Sequence, residues 1–189
     1  MGLDMWVRRV RKPNLEDKEY TYEELSNMGY SMVSAKDIEN EMSMFEQLLP
    51  YTIVRNVLTD YYNKAKMIED YNLPEDSSIW HYSYEGIEIS GTNEEGARVS
   101  QFISNKDVEE KYTVTKSVPH YIWSEDEEAY WRKAYDLQDW FYANLENVEN
   151  CGYYILDANL IAEMNKTFNE DVPEDDPTDD EALFYHEWY

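Results

Sequence analysis

At 189 residues, with 42% hydrophobic and 15% aromatic residues, the chain can bury a core and is too aromatic to be wholly disordered. Its 41 acidic against 16 basic residues, a net charge of −25, exclude direct binding to nucleic acid or to an anionic membrane surface, because those affinities come from Lys and Arg. Cys151 is the single cysteine, which excludes an internal disulfide, and no apolar run approaches the ~20 residues that span a bilayer, so a cytoplasmic location is expected.

The opening, Met1-Gly2-Leu3-Asp4-Met5-Trp6, lacks the apolar core of a signal peptide, and Trp6 stands where myristoylation after Gly2 would need Ser or Thr. Residues 4–11 are β-prone through Trp6, Val7 and Val10. They also hold the one basic cluster, Arg8, Arg9 and Arg11 with Lys12, which is expected to compensate acidic neighbours within the fold. Thr21-Tyr22-Glu23-Glu24 has capping-box spacing and predicts a short helix ending near Gly29. Ser34 is positioned to cap a second helix, with Ile38, Met42, Phe45, Leu48 and Leu49 as its apolar stripe up to Pro50.

Tyr51 to Leu58 reads as a strand, Asp60 to Tyr71 as a helix, and Ile79 to Ser90 as a hairpin with Glu85-Gly86 between its arms, a pattern that a bulged single strand would share. Tyr112 to Trp123 is a further extended run. Ser124-Glu125-Asp126-Glu127 has capping-box spacing again, and the stripe Tyr130, Ala134, Leu137, Phe141 and Leu145 predicts a helix over 125–147 packed on a sheet that includes residues 4–11. Gly152 to Leu156 reads as a short strand and Asp157 to Phe168 as a last helix. The expected fold class is therefore α+β: one domain over residues 1–168, with a mixed or antiparallel sheet packed with helices.

Residues 169–189 change character and are expected to form an acidic and aromatic tail. Glu170, Asp171, Glu174, Asp175, Asp176, Asp179, Asp180 and Glu181 carry no intervening base, and Phe184, Tyr185, Trp188 and Tyr189 follow. Gly91 to Arg98 has the glycine spacing of a phosphate-binding loop, yet Ala97 and Arg98 replace its Lys and Ser/Thr, so a plain loop is expected. His81, His120, His186 and Cys151 lack zinc-ligand spacing, and Asp175 to Asp180 lacks the alternation of a calcium loop. Neither a metal nor another cofactor is expected, and no catalytic motif is legible.

Two stretches resemble an uncharacterised phage and bacterial family. They are the opening Met1-Gly2-Leu3-Asp4-Met5-Trp6, similar to an MGLDMY start, and Tyr130-Trp131-Arg132-Lys133-Ala134 followed by Leu137-Gln138-Asp139-Trp140-Phe141, similar to a YWRK…WF helix. Asn150-Cys151 and Tyr153-Tyr154 fit the same pattern. Many members of that family have His where Gln138 stands. The resemblance implies a phage or prophage source and carries no established activity.

The functional expectation is an acidic protein that binds a basic surface on a host nucleic-acid-handling protein, as a DNA mimic in counter-defence of the anti-CRISPR or anti-restriction type. A compact chain of this length would be roughly 40 Å across, and ~40 Å of duplex carries about 24 charges, close to the charge here. The eight tail acids would steer the partner, with Phe184, Tyr185, Trp188 and Tyr189 as anchors. Two alternatives stand beside it: a small enzyme or ligand-binding domain with a pocket around Trp131, Arg132 and Trp140, and a virion or assembly component. The oligomeric state is not legible.

Overall fold

A computed structural model describes residues 2–38, 42–82, 84–174 and 177–188, the side chains of 42 and 80–82 excepted. Its strands are β1 (Asp4–Arg11), β2 (Tyr20–Thr21), β3 (Tyr30–Ser34), β4 (Ile53–Tyr62), β5 (Ser78–Tyr82), β6 (Gly86–Thr92), β7 (Arg98–Ser104), β8 (Thr113–Arg132), β9 (Tyr153–Leu156) and β10 (Glu181–Trp188). The helices are α1 (Tyr22–Asn27), α2 (Ala35–Ile38), α3 (Met42–Phe45), α4 (Lys64–Tyr71), α5 (Asn105–Asp107), α6 (Tyr135–Asn144) and α7 (Ala158–Phe168). This is the expected α+β class, with one sheet ordered β2-β4-β8-β1-β10-β9, β3 pairing β8 beside that path, and a second sheet ordered β5-β6-β7. Within it the chain forms two compact units, one from Met1–Val57 and Val118–Tyr189, the other from Leu58–Ser117.

Local signals act where they were expected. Thr21 Oγ1 accepts from the Glu24 amide, and Glu24 Oε2 accepts from the Thr21 amide at 2.7 Å, the reciprocal pair of a capping box. Ser34 Oγ accepts from the Asp37 amide at the start of α2, and Asp157 Oδ1 from the Leu160 amide at the start of α7, as ordinary N-caps. Residues 39–41 lie outside the described residues, so the expected continuous helix from Ser34 is seen only as α2 and α3. Residues 60–62 belong to β4, and α4 begins behind the Asn63 cap. The hairpin is β5 and β6, with antiparallel register from Ser78↔Ser90 to Tyr82↔Ile87.

The expected helix over 125–147 is corrected. Residues 113–132 form the single strand β8, and the helix covers only Tyr135–Asn144. The reason lies on β1, which pairs with β8 from Asp4↔Arg132 to Arg11↔Ser124. Arg8 binds Glu125, Arg9 Nε donates to Glu128 at 2.7 Å, and Arg11 binds Asp126. A capping box and acids at a helix N-terminus stabilise by about 1 kcal/mol each. Leaving the buried Arg9 without its carboxylates would cost about 3–5 kcal/mol, so the extended form wins. The expected charge compensation is thus what the structure shows for Arg8, Arg9 and Arg11.

The expected tail is corrected as well. Val172 is buried, and its backbone N–H and C=O both bond the buried Asn165 side chain of α7. Residues 181–188 are β10, an inner strand between β1 and β9. Ala182, Leu183, Phe184 and Tyr185 are all buried because β10 has apolar layers on both faces. On one face Leu183 and Tyr185 join Met5, Val7, Leu137, Phe141, Ile161 and Met164, with Phe141 and Tyr185 stacked at 4.0 Å. On the other, Ala182 and Phe184 join Val10, Leu48, Trp123 and Tyr153.

The unit of residues 58–117 has its own core, in which Met67 and Leu73 pack on Ile87, Ile89, Ile103, Val108 and Tyr112. Gly86 is required at the start of β6, since a Cβ there would lie 2.1 Å from the Ile103 carbonyl oxygen. Gly91 to Arg98 is the β6–β7 turn, held by Asn93 Oδ1 accepting from Ala97 N and by Gly96 at φ +78°.

Candidate functional site

The features worth weighing in the first unit lie on the sheet built from β9, β10, β1 and β8. Register puts His186, Trp6 and Tyr130 side by side, and Trp188, Asp4 and Arg132 in the row beyond them. The first row continues onto β9 through Tyr153, giving a ladder of rings: Tyr153–His186 at 4.5 Å, His186–Trp6 at 5.6 Å and Trp6–Tyr130 at 5.6 Å. The Arg8 guanidinium lies 4.9 Å over Trp6. Burial at the inner end holds His186 below its ordinary pKa, and its Nδ1–H donates to the Gly152 carbonyl at 3.0 Å.

The outer end is open to solvent. Tyr130 is 45% exposed and Trp188 59% exposed, with the Arg132 side chain also exposed. Tyr130 donates its hydroxyl to Asp4 at 2.5 Å, and that hydrogen bond raises the phenol's pKa. Tyr, Trp and Arg are the residue types enriched at the energetic centres of protein interfaces, and here a rigid sheet presents them.

On the opposite face of the sheet, Glu187 is fully buried between β10 and α6. Its carboxylate accepts from Tyr142 and Tyr185 hydroxyls, each at 2.5 Å, and from Gln138 Nε2 at 3.1 Å. Burial and the adjacent carboxylate hold the Tyr185 hydroxyl far above its ordinary pKa, so it stays a donor. Gln138 therefore serves this buried network. Sequence reasoning missed Glu187. The signal was its period-two spacing from Leu183 and Tyr185, which places it on the same core-facing side of a strand.

The expected partner-binding residues separate. Asp171, Glu174, Asp179, Asp180 and Trp188 are exposed, and Glu170 is half-buried. Glu181 is paired with Arg11 Nε at 2.5 Å and with Arg9 at 3.8 Å. Phe184 and Tyr185 are core residues and cannot anchor a partner on the folded protein. Asp175, Asp176 and Tyr189 lie outside the described residues.

The expected pocket residues also separate. An open cavity of about 350 Å³ is lined by Trp131, Lys133, Tyr135, Leu137, Phe168 and Glu170 among others. Arg132 sits on the other side of β8, 3.8 Å from Asp4, because side chains alternate along a strand. Trp140 packs edge-on against Phe141 and Phe168. Trp131 is half-buried, so Trp131→Ala is expected to cost about 1–3 kcal/mol in a thermal melt, below the ~3–5 of a fully buried ring. A loss of about 4–5 kcal/mol would place Trp131 in the core rather than on a cavity wall.

Compared with protein-family models, curated proteins and solved structures, the chain has no match. Among the described residues, no group of three His, Cys, Asp or Glu side chains is arranged to hold a metal ion, and no helix is long and apolar enough to cross a membrane.

Proposed function

We propose that this chain is an acidic interaction protein that binds a basic surface on a nucleic-acid-handling protein. The observation that carries this reading is how the basic residues are used. Arg8, Arg9 and Arg11, the one basic cluster in the sequence, are taken up by Glu125, Glu128, Asp126 and Glu181 inside the fold. The first unit retains nearly three times as many acidic as basic residues, against twice as many in the second. Its exposed acids include Glu16, Asp17, Glu19, Glu23 and Glu24 around α1, and Asp171, Glu174, Asp179 and Asp180 before β10. A counter-defence role of the DNA-mimic type adds the resemblance of residues 1–6 and 130–141 to a phage family. In this reading the anchor is the open sheet face with Trp188, Tyr130 and Arg132.

Charge and aromatic surface have separable kinetic signatures. Exposed charges act over about 10 Å at 0.1 M ionic strength and about 3 Å at 1 M, whereas apolar burial is not screened. A partner recovered at low salt would be identified and its association measured against two variants. Neutralising Asp171, Glu174, Asp179 and Asp180 to Asn or Gln is expected to slow association several-fold and flatten its salt dependence. Replacing Trp188 and Tyr130 by Ala is expected to speed dissociation instead. Association rates that are equal for wild type and the neutralised variant from low to high salt would end the charge-steering reading.

One observation favours a second reading. The Trp131 cavity lies within the size range of ligand pockets. A small molecule retained through purification, seen by native mass spectrometry and lost in Trp131→Ala, would make this a ligand-binding protein whose acidity serves solubility.

A further inference from the structure

The sheet of the second unit ends in a bare edge. β7 is its last strand and, among the described residues, pairs with β6 alone. Their register runs from Gly86↔Ser104 to Thr92↔Arg98 without a bulge, whereas the opposite edge strand, β5, has a register shift between Ile79 and His81. Edges are normally blunted by such irregularities, by proline or by charged side chains, because unpaired N–H and C=O groups template another strand. β7 reads Arg98-Val99-Ser100-Gln101-Phe102-Ile103-Ser104: no proline, one cation and, in a chain with 41 acids, none of them.

The contacts to β6 fix which groups face outward. The Ile103 carbonyl oxygen points at β6, where a Cβ on Gly86 would lie 2.1 Å from it, and Asn105 N donates to Glu85 O. Bonding direction alternates along a strand, so Arg98, Ser100 and Phe102 turn their backbone groups away from the sheet. The Phe102 carbonyl accepts there from the Gln101 side chain at 2.7 Å, in place of a strand. The side chains of the same residues stand on the open face. Phe102 is 50% exposed, and the exposed Arg98 guanidinium makes one long contact with Glu88, at 3.4 Å, and one with Ser90.

We infer that β7 pairs with β7 of a second copy of this chain, antiparallel about a two-fold axis at Ser100. That register sets Arg98 opposite Phe102 of the second copy and Ser100 opposite Ser100, so the outward N–H and C=O groups of all three residues meet strand partners. No like charges come face to face. Each copy's single edge cation lies over the other's exposed ring, in a row completed by Glu88, which stands opposite Phe102 on β6. Seven residues of edge bury less than the ~1,200 Å² of a standard interface, so a Kd on the order of 0.1–1 mM is expected. The inference concerns the second unit and does not rest on the acidic face of the first. Salt separates the two. Chains of net charge −25 repel one another, so the dimer tightens as salt screens that repulsion, while the partner binding proposed above weakens.

The experiment is sedimentation equilibrium of the full chain up to about 1 mM, at about 0.1 M and 1 M salt, with amide hydrogen exchange at both ends of the concentration range. Dimer is expected at high concentration, tighter in high salt. The Ser100 and Phe102 amides should gain protection about 2- to 5-fold on dimerising, while Gln101 and Ile103, bonded to β6, are protected throughout. Phe102→Lys sets a lysine against Arg98 of the second copy, and Ser100→Pro removes an N–H that faces away from the sheet. Each should weaken the dimer about tenfold or more with the thermal melt little changed, and Phe102→Lys decides the matter if proline disturbs β7. A dimer that Phe102→Lys leaves intact, or one without the alternating gain of protection, overturns the inference. So does a chain that stays monomeric at about 1 mM in high salt, which would leave the edge to the strand of a different protein.

Discussion

Removing residues 181–189 is expected to unfold the unit formed by Met1–Val57 and Val118–Tyr189, where clipping a solvated tail would leave it intact. β10 lies between β1 and β9 and pairs with β1 over its whole length, from Asp4↔Trp188 to Arg11↔Glu181. Its loss strips one side of β1 of its backbone partners and removes Leu183, Phe184 and Tyr185, each fully buried. At about 1.5–3 kcal/mol for each such side chain, the apolar loss alone rivals the ~5–15 kcal/mol that holds a typical domain together. The truncated chain should lose cooperative melting of this unit in circular dichroism, and the β1 amides should lose protection in hydrogen exchange. Neutralising Asp171, Asp179 and Asp180, all exposed, should leave the melt within about 0.5 kcal/mol of wild type. A truncated protein that melts like wild type would show that β10 is not part of the sheet.

The second large effect is expected at Glu187. Glu187→Ala removes the acceptor of the fully buried Tyr185 hydroxyl, whereas Tyr142 is 40% exposed and Gln138 half-buried. At about 1–3 kcal/mol for one stranded buried donor, with lost packing in addition, a loss of about 2–4 kcal/mol is expected. Glu187→Gln keeps the volume and one carbonyl acceptor and should cost about 1–2 kcal/mol. Because Tyr142 and Glu187 are in contact, a double-mutant cycle of Glu187→Ala with Tyr142→Phe should show coupling of about 1–3 kcal/mol by denaturant titration. Additive losses would mean that the hydroxyl and the carboxylate do not depend on each other. A Glu187→Ala protein as stable as wild type would remove the network from the account of this core.

These expectations depend on contacts that no local pattern displays. The sequence by itself determined the elements whose signals are complete within a few residues. The Thr21–Glu24 capping box starts α1, Asp157 caps α7, Ser34 caps α2, and the alternation around Gly86 makes the β5–β6 hairpin. Composition also determined that Arg8, Arg9 and Arg11 would find acidic partners, since acids outnumber bases so heavily. Which acids they found was a tertiary matter, and it decided the secondary structure of residues 124–132. A segment with helical capping and spacing remains a strand because three arginines more than a hundred residues away require its carboxylates in register. The fate of residues 181–188 was decided in the same way. Their acidic preface reads as solvated chain, and only pairing with β1 on one side and β9 on the other gives Leu183, Phe184, Tyr185 and Glu187 a reason to be buried. Strand pairing is non-local, and its energy comes from partners distant in the chain, so residue spacing alone cannot reveal it.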